Sequence, residues 1–158
     1  MQVTIDIEGL AELDRKLQSL PVTMAKRTAS RALRAGAKII QAATKANAAA
    51  MVGGKMGSII ARFITVRALR FARTGVYRVG VLIDKRGNDQ FVYLTKRKKP
   101  GTRYYIPAAI EFGHKTAKAR RLVTPIRFMQ TAAESKMQEA ATAIGDTLKS
   151  ELEQELKQ

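Results

Sequence analysis

The sequence predicts a single α+β domain over residues 1–158, in which a small antiparallel sheet packs with a long helix from the N-terminal half and a C-terminal helix. Three observations carry that prediction. Apolar residues recur at helical spacing in three segments, and the stretch 60–95 alternates at period two. With 158 residues, 46% of them hydrophobic, the chain is long enough to enclose one core. The predicted order is β-α-α-β-β-β-α.

Val3, Ile5 and Ile7 alternate with Thr4 and Asp6, which predicts a short half-buried strand. Gly9 permits a turn into a helix carrying Leu10, Leu13, Leu17 and Leu20 on one side, closed by Pro21. A longer helix runs from Val22 to about Asn47. Its inward stripe is small: Ala25, Ala29, Ala32, Gly36, Ile39, Ile40 and Ala43. Small side chains let another backbone come close. The opposite stripe holds Arg27, Arg31, Arg34, Lys38 and Lys45, with no carboxylate interleaved. It is either a solvated face or a contact face for something acidic, and Arg27, Arg31, Arg34 and Lys38 are the candidate interaction residues.

Residues 48–58, AAAMVGGKMGS, read as a flexible glycine-rich loop. They do not make a nucleotide loop, because Met56 follows Gly54-Lys55 and Ala49 stands where the first glycine belongs. RFITVRALRF alternates imperfectly, and VYRVGVLID places Tyr77, Val79, Val81 and Ile83 on one face. KRGND then supplies a turn into QFVYLTK, so the second and third of these strands are expected to form an antiparallel hairpin. KRKKPGTR, Lys96 to Arg103, reads as an exposed basic loop turning at Pro100-Gly101. YYIPAAIEFG starts extended and continues as strand or short helix, since Pro107 suits both. HKTAKARRLVTP is a second basic loop, expected to be flexible over residues 114–124. The last helix begins near Arg127, with Met137, Ala141, Ile144, Leu148, Leu152 and Leu156 on one side and capping-box spacing at Thr131 and Glu134.

The formal net charge of +16 is unevenly spread. Residues 1–21 sum to −2 and residues 128–158 to −3, so the middle holds +21. Such a field favours anionic partners: nucleic acid, acidic protein or lipid headgroups. Acidic ends meeting basic middles would let copies of the chain associate. There is no cysteine, which removes disulfides, thiolate catalysis and cysteine-ligated metals. No apolar run approaches the roughly 20 residues that span a bilayer. The alternating, acid-bearing N-terminus is unlike a signal peptide, so no membrane contact is expected.

His114, the one histidine, stands three residues from Glu111. A general acid–base pair needs a nucleophile, a metal or a second carboxylate beside it. Between residues 22 and 127 the acids are Asp84, Asp89 and Glu111 alone. Neither paired-carboxylate hydrolysis nor two-metal chemistry is easily assembled from them. The expectation is no enzyme, no cofactor and no metal, with Glu111 fixing a structural joint by accepting hydrogen bonds from backbone N–H groups or a cation. A nucleic-acid module is the rival reading. The charge suits it, and Tyr104 and Tyr105 beside KRKK could stack on bases, but no zinc finger, helix-turn-helix or aromatic RNA-binding run is present.

IEFGHKT, a variable loop and PIRFMQTAAE together resemble the tail-completion and head–tail joining proteins of long-tailed bacteriophages, including the minor tail protein Z-like family of lambda-like phages. Ile110, Glu111, Phe112 and Gly113 match its first half, and Pro125, Phe128, Met129, Ala132 and Ala133 its second. IEGLAELDRKLQSLP and the Ala- and Arg-rich helix after it resemble the family's opening. The family places its aromatic directly after the proline and a second proline a few residues on. Here Ile126 and Arg127 intervene and Thr131 stands at the later position, which leaves two starts for the last helix, a turn apart. The resemblance implies a non-enzymatic virion protein of the phage neck, assembled in the host cytoplasm. It would form a ring, hexameric at family level, and complete the tail so that the DNA-filled head attaches. Partners implied are further copies, the stopper, terminator or tail-tube proteins, and DNA in the lumen through non-specific contact. A tail terminator or a stopper of the same neck is the alternative role.

Overall fold

The computed structural model describes residues 10–69, 78–94, 103–115 and 122–155. The predicted N-terminal strand, Tyr77, residues 96–102 of the first basic loop, residues 116–121 of the second and Leu156 lie outside them. Among the described residues six α-helices and six short strands follow one another: α1 Leu10–Ser19, α2 Val22–Asn47, α3 Gly54–Phe63, β1 Ile64–Leu69, β2 Arg78–Ile83, α4 Asn88–Phe91, β3 Val92–Leu94, β4 Arg103–Tyr105, α5 Ile106–Phe112, β5 His114–Lys115, β6 Leu122–Val123 and α6 Phe128–Glu155. The α+β class holds. The strands pair two by two, β1 with β2, β3 with β4 and β5 with β6, instead of gathering into one sheet.

The chain divides into two compact units. One comprises Met1–Gln41, Val66–Val81 and Ser135–Gln158, and the other Ala42–Thr65 and Leu82–Glu134. We call them the first and second units.

In the first unit, Ala32, Leu148 and Leu152 are buried, and Leu13, Leu17, Leu20 and Ile144 pack against them. Burying a leucine side chain contributes about 1.5–3 kcal/mol, so Leu148 and Leu152 anchor this core from α6. Pro21 separates α1 from α2, and its carbonyl accepts the first hydrogen bond of α2 from the Ala25 N–H at 3.0 Å. The small stripe of α2 has its partner in α6. A Cβ at Gly36 would lie 2.6 Å from Ile144 Cγ1 and 2.7 Å from the Ala140 carbonyl oxygen. Glycine costs about 1 kcal/mol relative to alanine inside a helix, so its place here is a matter of space.

In the second unit, Phe91, Phe128, Ile60, Ile64, Pro107 and Thr44 are fully buried. Phe91 meets Phe63 edge-on at 5.5 Å and Tyr105 edge-on at 6.2 Å between ring centroids. Asn47 Nδ2 donates to the Phe128 carbonyl at 3.2 Å.

Two expectations give way in this unit. Residues 48–58 are mostly helical: Ala48–Val52 form a π-helical turn, and α3 begins at Gly54. Gly53, at φ 68°, reverses the chain between them, and Gly57 lets α3 approach so closely that a Cβ there would sit 2.5 Å from the Ala48 carbonyl oxygen. These glycines serve a turn and a contact, two uses that composition does not separate from a loop.

The expected hairpin across KRGND is also absent. Asp84 Oδ1 accepts from the Arg86 N–H at 2.9 Å and caps a 3-10 turn over Lys85–Gly87 that runs into α4. Gly87 lies flush against the rings of Phe91 and Phe63. The pairing of β3 is instead antiparallel with β4, in the register Val92↔Tyr105, Tyr93↔Tyr104 and Leu94↔Arg103.

Candidate functional site

Two places concentrate the residues singled out by sequence. The first is the joint between α5 and α6. Pro107 stands in the first turn of α5, where its missing N–H costs nothing, and Gly113 ends the helix at φ 75°. A side chain at Gly113 would also meet the Val123 carbonyl oxygen at 2.5 Å and Pro125 at 3.2 Å, so conformation and space both require glycine. The chain then crosses to β6, with His114 opposite Val123 and Lys115 opposite Leu122.

The return brings the two motif halves together. The Ile126 N–H donates to the Ile110 carbonyl at 2.9 Å. The Met129 N–H donates to Glu111 Oε2 at 3.0 Å and the Gln130 N–H to Glu111 Oε1 at 2.9 Å. Both oxygens of a buried carboxylate are thus engaged by the second and third residues of α6, the donors that an N-cap side chain ordinarily satisfies. The residue before the helix, Arg127, has φ 55° and an exposed side chain that cannot accept hydrogen bonds. Glu111 therefore caps from 18 positions upstream, and its charge faces the positive end of the α6 dipole. The Thr131–Glu134 spacing does no capping, because both lie inside α6; Glu134 accepts instead from the Gln130 side chain at 2.8 Å. Ile110, Glu111, Gly113, Pro125 and Met129 all take part in the joint, and Phe128 is buried beneath it. Phe112 points away and is 77% exposed.

His114 belongs to a different environment. Its ring meets Tyr104 edge-on at 5.6 Å, and its buried Nδ1 has no hydrogen-bond partner. A catalytic imidazole needs one ring nitrogen oriented so that the other can take up a proton. Glu111 meanwhile spends both oxygens on backbone N–H groups. Among the described residues, no group of three or more His, Asp or Glu is placed to hold a metal. Burial pushes the phenols of Tyr104 and Tyr105 above their ordinary range.

The second place is the exposed face of α2. Arg27, Arg31, Arg34 and Lys38 all stand on it. The missing carboxylate comes from far along the chain: Arg31 Nη1 meets Glu151 Oε2 at 2.6 Å, 120 positions apart. Arg31 is thereby engaged within its own chain. Among the described residues Arg27, Arg34 and Lys38 have no ion-pair partner, and over three turns they form a row about 16 Å long at 1.5 Å per residue.

Sequence reasoning missed Asp84, whose cap was hidden in a stretch resembling a hairpin turn, and Asn47, whose amide reaches α6. An Asp three residues before a glycine and an Asn ending an Ala-rich helix were the available signals.

Residues 11–108 match a family described as "Bacteriophage HK97-gp10, putative tail-component". No curated protein and no solved structure matches the chain.

Proposed function

The chain belongs to the HK97 gp10-like family of bacteriophage tail components, and from that membership we propose that it is a non-enzymatic neck protein that completes the tail and joins it to the DNA-filled head. As a tail component it is part of the virion. The family match over residues 11–108 carries the proposal. It covers α1 to the start of α5 and stops short of the Glu111 joint.

Two features support a structural role. Glu111, the acid nearest the single histidine, is consumed by capping α6. The row Arg27, Arg34 and Lys38 offers unspent charge on a rigid helix, suited to acidic surfaces of neighbouring neck proteins or of further copies in a ring, with six as the family-level expectation. Exposed acids of α6 such as Asp146 and Glu153 would serve as counterparts in such a ring.

The test is an Arg27→Glu/Arg34→Glu variant assayed for the joining of heads to tails and for association of subunits. Joined particles are expected to be lost while the monomer melts as wild type, since exposed substitutions usually change stability by no more than about 0.5 kcal/mol. Normal joining by a folded variant would remove the α2 face from the interface.

A further inference from the structure

The second unit spends its acids internally. Its two segments hold three and twelve Lys and Arg residues but only four acids: Asp84, Asp89, Glu111 and Glu134. Asp84 and Glu111 are each 5% exposed. Both are occupied by backbone N–H groups, Asp84 at the 3-10 turn and Glu111 at α6. Asp89 and Glu134 are the only acids left exposed on the unit. Its surface is therefore nearly free of negative charge, in a way that total composition does not reveal.

We propose that the second unit binds the phosphate backbone of duplex DNA without sequence preference. Its exposed cations include Lys55 and Arg62 on α3, Lys85 on the 3-10 turn and Lys115 on β5, and none has an ion-pair partner among the described residues. They stand on three separate elements, so the positive potential is a property of the unit and not of one helix face. Lysine supplies half of the cations in the sequence 82–134, six of twelve. Protein interfaces are depleted in lysine, whereas hydrated phosphates take its point charge readily. That difference favours nucleic acid over an acidic protein here. The inference rests on the neck reading only for the presence of DNA.

The test is titration of the full-length protein with a short duplex at several salt concentrations. Wild type is expected to bind, with the logarithm of the affinity falling by about 0.9 per contacted phosphate for each unit of log salt. Lys55→Gln/Arg62→Gln/Lys85→Gln should flatten that slope by about 2 or more, and the corresponding triple Glu variant should weaken binding at least about tenfold at low salt. Arg27→Glu/Arg34→Glu/Lys38→Glu, with an equal charge change in the first unit, should cost less than about threefold. Equal losses from the two Glu triples would reduce the effect to net charge and overturn the assignment to the second unit. Binding of polyglutamate as tight as that of DNA would overturn it in favour of an acidic protein, and absence of duplex binding at low salt would end it. Thermal melts of each variant, with the milder Gln triple alongside, separate lost contacts from lost folding. Heads and tails that join without the protein would sink the neck reading and leave these measurements standing. A protein still required for joining but blind to DNA would sink this inference alone.

Discussion

Glu111 satisfies two of the four N–H groups that the first turn of α6 leaves without intrahelical partners. Glu111→Gln keeps one acceptor oxygen and turns an amide NH₂ toward the other donor. The expected loss is about 2 kcal/mol, seen as a lower denaturant midpoint at constant m-value. An unchanged midpoint would mean that the carboxylate is not what holds the turn. His114→Ala should stay within about 0.5 kcal/mol of wild type and alter no association, because its buried Nδ1 has no hydrogen-bond partner among the described residues. The raised phenols of Tyr104 and Tyr105 give a second measurement. The native state holds these protons to higher pH than the unfolded chain does. Stability from them is thus complete below the ordinary tyrosine value of about 10 and falls as pH rises through the shifted ones. Ultraviolet titration of phenolate should show late-ionising tyrosines that return to the ordinary range in denaturant. A role for Glu111 at a joint was legible, because an acid in a basic neighbourhood calls for a donor. Which donors it meets was not legible, since they lie 18 and 19 positions away. The Arg31–Glu151 pair was hidden for the same reason. It is exposed, so Arg31→Ala should cost no more than about 1 kcal/mol.

The helices α1, α2 and α6 were the legible elements. Pro21 and an unbroken period of small residues set α2 at Val22–Asn47 in both sequence and structure. Pairing of strands was not legible, because KRGND offers the chemistry of a hairpin turn and only the packing of Phe91 against Phe63 and Gly87 reveals another use. The glycines of 53–57 misled in the same manner. Gly36→Ala tests the close crossing of α2 and α6. Helix propensity alone would favour alanine by about 1 kcal/mol, but the new methyl would meet Ile144 and the Ala140 carbonyl well inside contact distance, and overpacking of this kind costs about 1–3 kcal/mol. A lower melting temperature is expected, and a higher one would show that the crossing relaxes. Gly53→Ala has open space around it and should pay only for its backbone, whose φ 68° and ψ 176° are a combination almost confined to glycine, at about 1–3 kcal/mol.

Over the whole molecule, the sequence announces a strongly basic middle, and the α2 stripe is its most regular cationic face. Folding redistributes it: α2 lends Arg31 to α6, and the second unit withdraws two of its four acids from the surface. No local pattern in the sequence marks an acid for burial, so the more basic surface was not visible there. The joint has one further consequence, which concerns the order of synthesis. Glu111 leaves the ribosome before Met129 and Gln130, so the acceptor is already in place when the first turn of α6 emerges and needs it. The amide hydrogens of Met129 and Gln130 accordingly become a built-in reporter. Their exchange with solvent deuterium times each opening of the joint, and it should slow when the protein takes its place in the particle.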